Sequence, residues 1–367
     1  MYKPIKYLNK NRRKGVSGIM RVKNDAQFIS ASVDSCIDAL DELIIVYNDC
    51  TDDSVEFINH KKEEYPDKIK VYEYKPKIYS VNLNKDEYDY AKKLPQDSEH
   101  LLANYYNFAL SKISYLYALK IDADQIYFTE ELKILCDIYR SSKKYFSWKV
   151  LPGMIIWLYF KVMKIIGNKL NIVLPIYPYK IGHYMFNLYT SFVKYAITHY
   201  DAQVSLSGLN VYCNTQNWYV TIGKCTKYIN ILPPYNGTGD HLIFKATDNT
   251  FYVPFDSESY NLQRSEKFTI IEHFQGDKFP LPIGVFWFHL NTIRPQARLK
   301  LDMAFKAYPE YFKEIDTFMN IKYQKNIEKI IDHKMCSANE RALFQFLHIS
   351  VSNNLIAKYL SRINQFL

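Results

Sequence analysis

Two aspartates separated by one alanine, Asp122-Ala-Asp124, follow an apolar run that ends at Ile121. If that run is a strand, both carboxylates lie at its carboxyl end, where the backbone turns. Carboxylate oxygens are the ligands that Mg²⁺ and Mn²⁺ prefer, and such an ion neutralises charge on a departing phosphate. The pair predicts a divalent-metal site for a diphosphate-bearing ligand. The alternative interpretation is a solvated strand end.

The segments before this pair alternate between β-branched runs and stretches with apolar residues at three- and four-residue spacing. The predicted strands are 15–20, 43–47, 69–74 and 115–121. Alternation of this kind predicts an α/β fold with an open, mostly parallel sheet flanked by helices. Ligands of such sheets bind beyond the carboxyl ends of the strands, where the polar clusters of this chain also fall.

Asn48 and Asp52 follow the second predicted strand on one turn, and they offer a nucleotide base donors and acceptors. Arg21 follows the first strand, where its positive charge would meet a phosphate. The alternative for Arg21 is a solvated surface cation.

Charge and cysteine content narrow the class of protein. The net charge is +9. Residues 1–14 and 151–200 contain eleven lysines and arginines and no acidic residue, so these two segments carry more positive charge than the net charge of the whole chain. The rest of the chain is slightly acidic, which argues against a nucleic-acid binder and favours two local basic surfaces. The six cysteines form no CxxC pair, and the N-terminus lacks the apolar core of a secretory signal. We therefore expect a cytoplasmic protein, peripheral on the inner face of the plasma membrane if the basic surfaces meet lipid.

Four ordered segments resemble the glycosyltransferase family 2 type of GT-A enzyme. Residues 18–29 are similar to the opening strand and turn of that family, and residues 41–54 are similar to its second strand and loop. The third match is an asparagine in the helix before the metal motif, and the fourth is the motif itself. Together they cover roughly residues 15–130. The resemblance implies a UDP-sugar donor, Mn²⁺ or Mg²⁺ held by the two aspartates, and a nucleotide-sugar site. The residues implied for that site are Arg21, Asn24, Asn48, Asp52, Asn107 and Asp122.

An inverting transfer needs a general base that takes the proton of the acceptor hydroxyl. Asp240 resembles the acidic motif of the family, with Gly239 in place of the usual glutamate. We expect a glycine-rich turn at 236–239 before it, and an aspartate that caps a helix is the alternative. His289 lies in an apolar run and is predicted to be a third metal ligand or a diphosphate contact. A buried core histidine is the alternative.

Residues 151–200 mix apolar and aromatic residues with five lysines. Because Lys161 and Lys164 interrupt the apolar run, we expect a segment that lies on an anionic membrane rather than a spanning helix. A basic, aromatic lid over the acceptor is the alternative. The final segment is amphipathic and is predicted to dock on its own domain. The predicted regions are a basic leader (1–14), a nucleotide-sugar half (15–150), this insertion (151–200), an acceptor half (201–295) and a helical C-terminal region (296–367).

Together, these expectations predict an inverting glycosyltransferase. It would move a sugar from a nucleoside-diphosphate sugar to a glycan or glycolipid, as in lipopolysaccharide or capsule synthesis. A metal-dependent nucleotidyltransferase is one alternative, but it would ordinarily have a glycine-rich phosphate loop, and residues 17–24 contain one glycine. A non-catalytic membrane- or glycan-binding protein on the same fold is another, and turnover of sugar nucleotides separates it from the enzyme. The sequence leaves the oligomeric state open.

Overall fold

The computed structural model describes most of the chain as two compact units. The described residues are 11–170, 181–214, 217–221, 225–226, 229–230, 233–256, 268–276, 278–319, 338–351 and 353–366. The first unit comprises the chain up to Ala123, Lys133–Arg140 and Asp240–Pro280. The second comprises Asp124–Leu132, Ser141–Gly239 and the chain from Leu281 onward.

Strands and helices alternate in the first part of the chain. The strands are β1 (Arg13–Val22), β2 (Glu42–Tyr47), β3 (Ile69–Glu73), β4 (Tyr115–Asp122), β5 (Gln125–Tyr127), β6 (Val204–Cys213), β7 (Trp218–Thr221), β8 (Cys225–Thr226), β9 (Ile229–Asn230), β10 (Tyr235–Lys245), β11 (Phe251–Asp256), β12 (Ile270–Gln275), β13 (Leu281–His289) and β14 (Phe312–Glu314). The helices are α1 (Ala26–Cys36), α2 (Ser54–Glu64), α3 (Lys85–Lys93), α4 (Leu102–Ser111), α5 (Thr129–Arg140), α6 (Val150–Leu170), α7 (Gly182–Tyr200), α8 (Pro295–Ala307), α9 (Ile315–Met319), α10 (Ala338–Ser350) and α11 (Asn353–Ile363).

The sheet of the first unit has four parallel strands in the order β4-β1-β2-β3, and the end of β10 pairs antiparallel with β4. This arrangement confirms the expected α/β fold with a mostly parallel sheet. Helix α4 and the antiparallel pair β11–β12 pack on the sheet through a buried apolar cluster that includes Ile19, Ile44 and Tyr106. In the register of β1 and β4, Arg21 lies opposite Asp122. The polar residues at the carboxyl edge of the sheet are thereby fixed to rigid strands.

The second unit is built around β6, whose residues are all buried. Strand β6 pairs parallel with β13 and antiparallel with β7, while β13 pairs antiparallel with β5. Gly208 of β6 lies under the fully buried indole of Trp287, and a Cβ at this position would overlap that ring. The apolar run that contains His289 is therefore a central strand, with β5 and β6 as its neighbours.

The final helix docks on its own unit, as predicted. Ile356, Tyr359 and Ile363 of α11 are buried, and the Tyr359 ring stacks on Phe128 at 4.9 Å between centroids. The Tyr359 hydroxyl donates to Glu131 at 2.6 Å. Burial of one face of this amphipathic helix stabilises the contact.

Two predictions of local structure are wrong. Strand β1 extends to Val22, so Arg21 lies in a strand rather than a turn, because pairing with β4 continues to that edge. Residues 236–239 belong to strand β10 and form no glycine-rich turn, since glycine also adopts the extended backbone that sheet pairing imposes. The segment before α4 contains a helix that was not predicted, α3, although its capping box of Asn84 and Glu87 was a readable signal.

The basic aromatic insertion forms two long helices, α6 and α7, joined by residues outside the described part of the chain. Among the described residues, one helical window, Val150–Gly167, is long and apolar enough to cross a membrane, with a mean hydropathy of 1.6. Only 17% of that window is buried inside the structure. Length and composition alone thus permit a membrane span as well as the predicted interfacial position.

Candidate active site

Asp122 ends strand β4 and is held by a histidine from β10. The Nε2 atom of His241 lies 3.0 Å from Asp122 Oδ2, and His241 itself is buried. Burial alone would raise the pKa of Asp122, but the charges of Lys120, His241 and Arg21 outweigh it and hold that pKa well below its usual range. Asp122 is therefore a carboxylate at neutral pH. The sequence prediction missed His241, although it directly follows Asp240.

Arg21 is a partly buried cation that packs on an aromatic ring rather than a fully solvated one. Its guanidinium lies over the ring of Tyr106, 3.9 Å from the centroid, and its Nη2 donates to the Tyr106 hydroxyl. Burial by itself lowers the pKa of Arg21, but the fields of Tyr106, Glu272 and Asp122 overcome this and raise it. Its Nε is buried with no hydrogen-bond partner in the described part of the chain. Since an unsatisfied buried donor costs about 1–3 kcal/mol, this atom is suited to an anionic ligand or a water.

A second cation, Lys120, is buried near the same tyrosine and is paired with a carboxylate. Its ammonium lies 3.1 Å from Glu272 of β12, and both side chains are less than a tenth exposed. Its Nζ also lies 4.9 Å from the ring centroid of Tyr106. Arg21 and Lys120 thus both lie beside the Tyr106 ring at the carboxyl edge of the first unit, and Asp122 and Glu272 are the carboxylates near them.

The loops after β1 and β2 are fastened to each other by two predicted site residues. Asn24, which adopts a left-handed backbone with φ 57°, accepts a hydrogen bond from the Thr51 backbone at 2.7 Å. Asp52 accepts from the backbone nitrogens of Ala26 and Ser54, each at 3.1 Å. These contacts shape the strand-end loops, and a direct contact of Asn24 or Asp52 with a nucleotide stays a prediction.

Asn48 and Asn107 are the two other asparagines predicted for the site, and they differ in how many of their side-chain hydrogen-bonding atoms are paired within the protein. Asn107 donates to the Tyr252 carbonyl at 2.9 Å and accepts from the Tyr252 nitrogen at 2.8 Å, so both ends of its amide hold β11 against α4. Buried Asn48 donates to the carbonyls of Tyr74 and Pro76, but its Oδ1 has no partner among the described residues. Asn48 therefore has an acceptor left for a ligand, whereas Asn107 has a clear structural role.

In the second unit, Asp124 lies beside His289. Asp124 precedes β5, and the pairing of β5 with β13 places Gln125 opposite His289. The Leu290 nitrogen donates to the Asp124 carbonyl at 2.8 Å. The Asp124 Oδ1 is 3.6 Å from His289 Nε2, and its Oδ2 accepts from Arg294 Nη2 at 3.2 Å.

The orientation of His289 is set by Asn210 of β6. Asn210 donates from Nδ2 to the Pro233 carbonyl at 2.6 Å, so its Oδ1 is the atom that accepts from His289 Nδ1 at 2.7 Å. With the proton on Nδ1, the lone pair of a neutral imidazole lies on Nε2, the atom that faces Asp124. A partner that orients a ligand histidine in this way is typical of metal sites.

The donor set of Asp124 and His289 fits a divalent cation. Two ligands at roughly 2.1 Å from one ion lie about 3–4 Å apart, and the two atoms here are separated by 3.6 Å. No group of three or more histidines, cysteines or acidic residues gathers for a metal in the described part of the chain, so other ligands would come from water or a bound diphosphate. The sequence offered no signal for Asn210 or for the contact made by Arg294.

Asp240 lies in strand β10, and its side chain is outside the described residues. Its role as base stays a prediction. Tryptophan rings can stack on sugars, but Trp218 and Trp287 are buried, whereas Trp148 is exposed.

Comparison with protein families adds a resemblance that covers the first unit in large part. The sequence model of the beta-1,4-N-acetylgalactosaminyltransferase (CgtA) family matches residues 10–160. This range contains the parallel strands β1–β4 and both aspartates of the pair. The chain is therefore similar to that family over less than half of its length. The matched region carries Arg21 and Asp122, while His289 lies beyond the matched residues.

Two solved structures are also similar to part of the chain. Glucosyl-3-phosphoglycerate synthase from Mycobacterium tuberculosis, in complex with Mn²⁺, UDP and glucosyl-3-phosphoglycerate, is 19% identical over 31% of this chain and 34% of its own, with a TM-score of 0.20. Residues 1–349 of S. aureus TarS in complex with UDP are 18% identical over 34% of this chain and 31% of their own, with a TM-score of 0.22. The chain spans about a third of the length of these proteins. None of the curated proteins compared with the chain matches it.

Proposed function

We propose that this protein is an inverting glycosyltransferase that transfers a hexose or N-acetylhexosamine from a UDP-sugar to a glycan or glycolipid. The family match supports the class of reaction, because the matched family is one of N-acetylgalactosaminyltransferases. A precursor of bacterial lipopolysaccharide or capsule is the acceptor that we favour.

The observation that carries the proposal is the Asp124–His289 pair with Asn210 behind it. A carboxylate facing the lone pair of an oriented imidazole makes a site for Mn²⁺ or Mg²⁺, held by Asp124 and His289. A bound ion would neutralise the negative charge that develops on the departing diphosphate.

Residues of the first unit bind and orient the donor in this proposal. The partly buried guanidinium of Arg21 attracts the diphosphate, and the Oδ1 of Asn48, which has no partner among the described residues, accepts a hydrogen bond from the base. Asp122 is kept ionised by its neighbours and serves as an acceptor for the ribose. Asp240 takes the proton of the acceptor hydroxyl, on the side of the sugar opposite the leaving group.

The direct test is calorimetric titration of the protein with UDP, in Mn²⁺ and in a chelator. We expect Mn²⁺-dependent binding in the wild type and its near loss in Asp124→Asn, which keeps the side-chain shape but removes a ligand charge. Glu310→Gln, which neutralises an exposed carboxylate of the same unit, is the matched control and should bind like the wild type.

Asn210→Ala provides a second variant, with an expected 10–100-fold loss of Mn²⁺ affinity when the histidine loses its orienting partner, as is typical of such contacts. Thermal unfolding checks that each variant folds. Equal UDP affinity in chelator and in Mn²⁺, or wild-type Mn²⁺ affinity in Asp124→Asn, would remove the metal site. Absence of sugar transfer from every UDP-sugar tested on glycan and glycolipid acceptors would remove the transferase.

A further inference from the structure

Helix α6 has an exposed apolar stripe along its length, which we term the α6 outer face. Its five residues recur at spacings of three and four, so they share one side of the helix, and each is between 39% and 61% exposed. They are Leu151, Ile155, Leu158, Val162 and Ile166. Contiguous apolar surface of this kind marks an interaction site more often than scattered single residues do.

The opposite face of α6 is already packed inside the second unit. Gly153 and Ile156 are buried, and a Cβ at Gly153 would overlap the Leu188 carbonyl of α7. The Phe160 ring contacts Tyr189 of α7 at 5.9 Å and Phe346 of α10 at 6.0 Å between centroids. The helix is therefore apolar on both sides, but only one side has a protein partner in the described part of the chain. Core packing accounts for the inner side and leaves the α6 outer face unexplained.

The charges around this face are of one sign. Residues 141–200 contain eight lysines and no aspartate or glutamate. Lys161, Lys164 and Lys169 are on α6 and are exposed. Two exposed aromatic residues, Phe146 and Trp148, precede the helix, and aromatic rings of this kind are enriched at membrane–water interfaces.

This charge pattern selects one occupant. A second copy of the chain, docked through the same face, would bring two acid-free, lysine-rich surfaces together with no carboxylate from either segment to pair them. A helix crossing the bilayer would carry Lys161 and Lys164 into hydrocarbon and would have to leave its packing on α7 and α10. Anionic lipid supplies both the missing negative charge and an apolar phase for the exposed stripe.

We propose that the α6 outer face docks in the plane of an anionic membrane, with Lys161 and Lys169 on lipid headgroups and its apolar stripe at the acyl boundary. The docking depends on this surface alone and not on glycosyl transfer, so it stands or falls independently of the proposed function. It accounts for an apolar surface that would otherwise face water.

The experiment measures co-sedimentation of the full chain with vesicles of phosphatidylcholine and phosphatidylglycerol in a 3:1 ratio, and with pure phosphatidylcholine vesicles. The wild type should bind the anionic vesicles at low salt. Leu158→Glu with Val162→Glu places two charges on the α6 outer face and should lower partitioning by about a hundredfold, since two apolar side chains leave the lipid.

The matched control is Leu299→Glu with Met303→Glu, another exposed pair four residues apart on helix α8 of the same unit. This variant should bind vesicles like the wild type. Circular dichroism checks the helical content of each protein.

A charge variant tests the second component. Each lysine near an anionic surface contributes about fivefold to binding, so Lys161→Gln with Lys169→Gln should weaken binding to anionic vesicles by about 25-fold. It should change little on neutral vesicles, and high salt should release the wild type.

Four results would overturn the proposal. The first is no binding of the wild type to anionic vesicles at low salt, and the second is an equal loss of binding in the outer-face and control variants. The third is binding that resists high salt and carbonate, and the fourth is a dimer that the outer-face variant abolishes, with no vesicle binding by either protein. The third result would instead establish a spanning helix. The fourth would establish an interface between copies, measured by light scattering.

Discussion

Replacing Lys120 with methionine would leave the buried carboxylate of Glu272 without the ammonium that lies 3.1 Å away. The two side chains are 3% and 9% exposed, so water cannot take over this role. At an effective dielectric constant of 20, two unit charges at that distance attract by about 5 kcal/mol, and desolvation of both groups offsets much of it. Because one partner is lost while the other stays buried, we expect Lys120→Met to lower the free energy of unfolding by about 3–5 kcal/mol.

The double variant Lys120→Met/Glu272→Met separates the charge from the packing. Removing both members of a buried ion pair is often neutral, so we expect the double variant to be more stable than Lys120→Met, with a coupling energy of at least about 2 kcal/mol. The exposed pair Lys85–Asp89 on α3 is the matched control, and Lys85→Met should cost less than about 1 kcal/mol. Urea unfolding followed by circular dichroism measures these three changes and that of Glu272→Met, which completes the double-mutant cycle. Equal losses in Lys120→Met and Lys85→Met, or strict additivity in the double variant, would refute the buried-pair reasoning.

The same substitution tests the ionisation of Asp122. Among the groups that lower the pKa of Asp122 against the effect of burial, Lys120 has the largest influence. A carboxylate with a depressed pKa stabilises the fold above its unfolded pKa, and this stabilisation is lost as the pH falls through the folded pKa. Lys120→Met should raise the folded pKa and move this loss to higher pH, whereas an unshifted Asp122 titration in carbon-detected NMR would contradict the assignment.

Three further variants test the base, the core and a buried carboxylate. Asp240→Asn should reduce transfer by about 10²–10⁴-fold while UDP-sugar affinity stays nearly unchanged, and near-normal turnover would exclude it as the base. Gly208→Ala should lower the free energy of unfolding in urea by about 1–3 kcal/mol, because its Cβ would overlap the Trp287 indole. Partial rescue by Trp287→Phe would confirm the overlap, and a fully stable Gly208→Ala protein would disprove it. Burial alone would raise the pKa of Glu42, but hydrogen bonds, the largest from Lys70, hold that pKa below its usual value. The Glu42 contribution is therefore present above the unfolded pKa of about 4.3 and lost as the pH falls below it, so the melting temperature of Glu42→Gln should depend less on pH there than that of the wild type.

Local sequence patterns determined most of the parallel sheet. The β-branched run at 43–47 and the apolar run before Asp122 form strands because a parallel sheet buries both faces of its strands. The helices between the strands follow from the apolar stripes of those segments. The docking of the final helix was predictable for the same reason, since an amphipathic helix needs a surface for its apolar side. The length of the apolar run before Asp122 was enough to predict that this residue lies at the end of a strand.

Contacts between distant parts of the chain decided the rest. His241 meets Asp122 across 119 residues, and Asn210 meets His289 across 79, so no local spacing could reveal either pair. The glycines at 236–239 favour a turn when considered alone, but strand pairing imposes an extended backbone on them. The burial of Arg21 likewise depends on Tyr106 from a helix 85 residues away. Such outcomes follow from which strands pair and which faces pack, because long-range burial and hydrogen bonding outweigh local preferences of less than about 1 kcal/mol per residue.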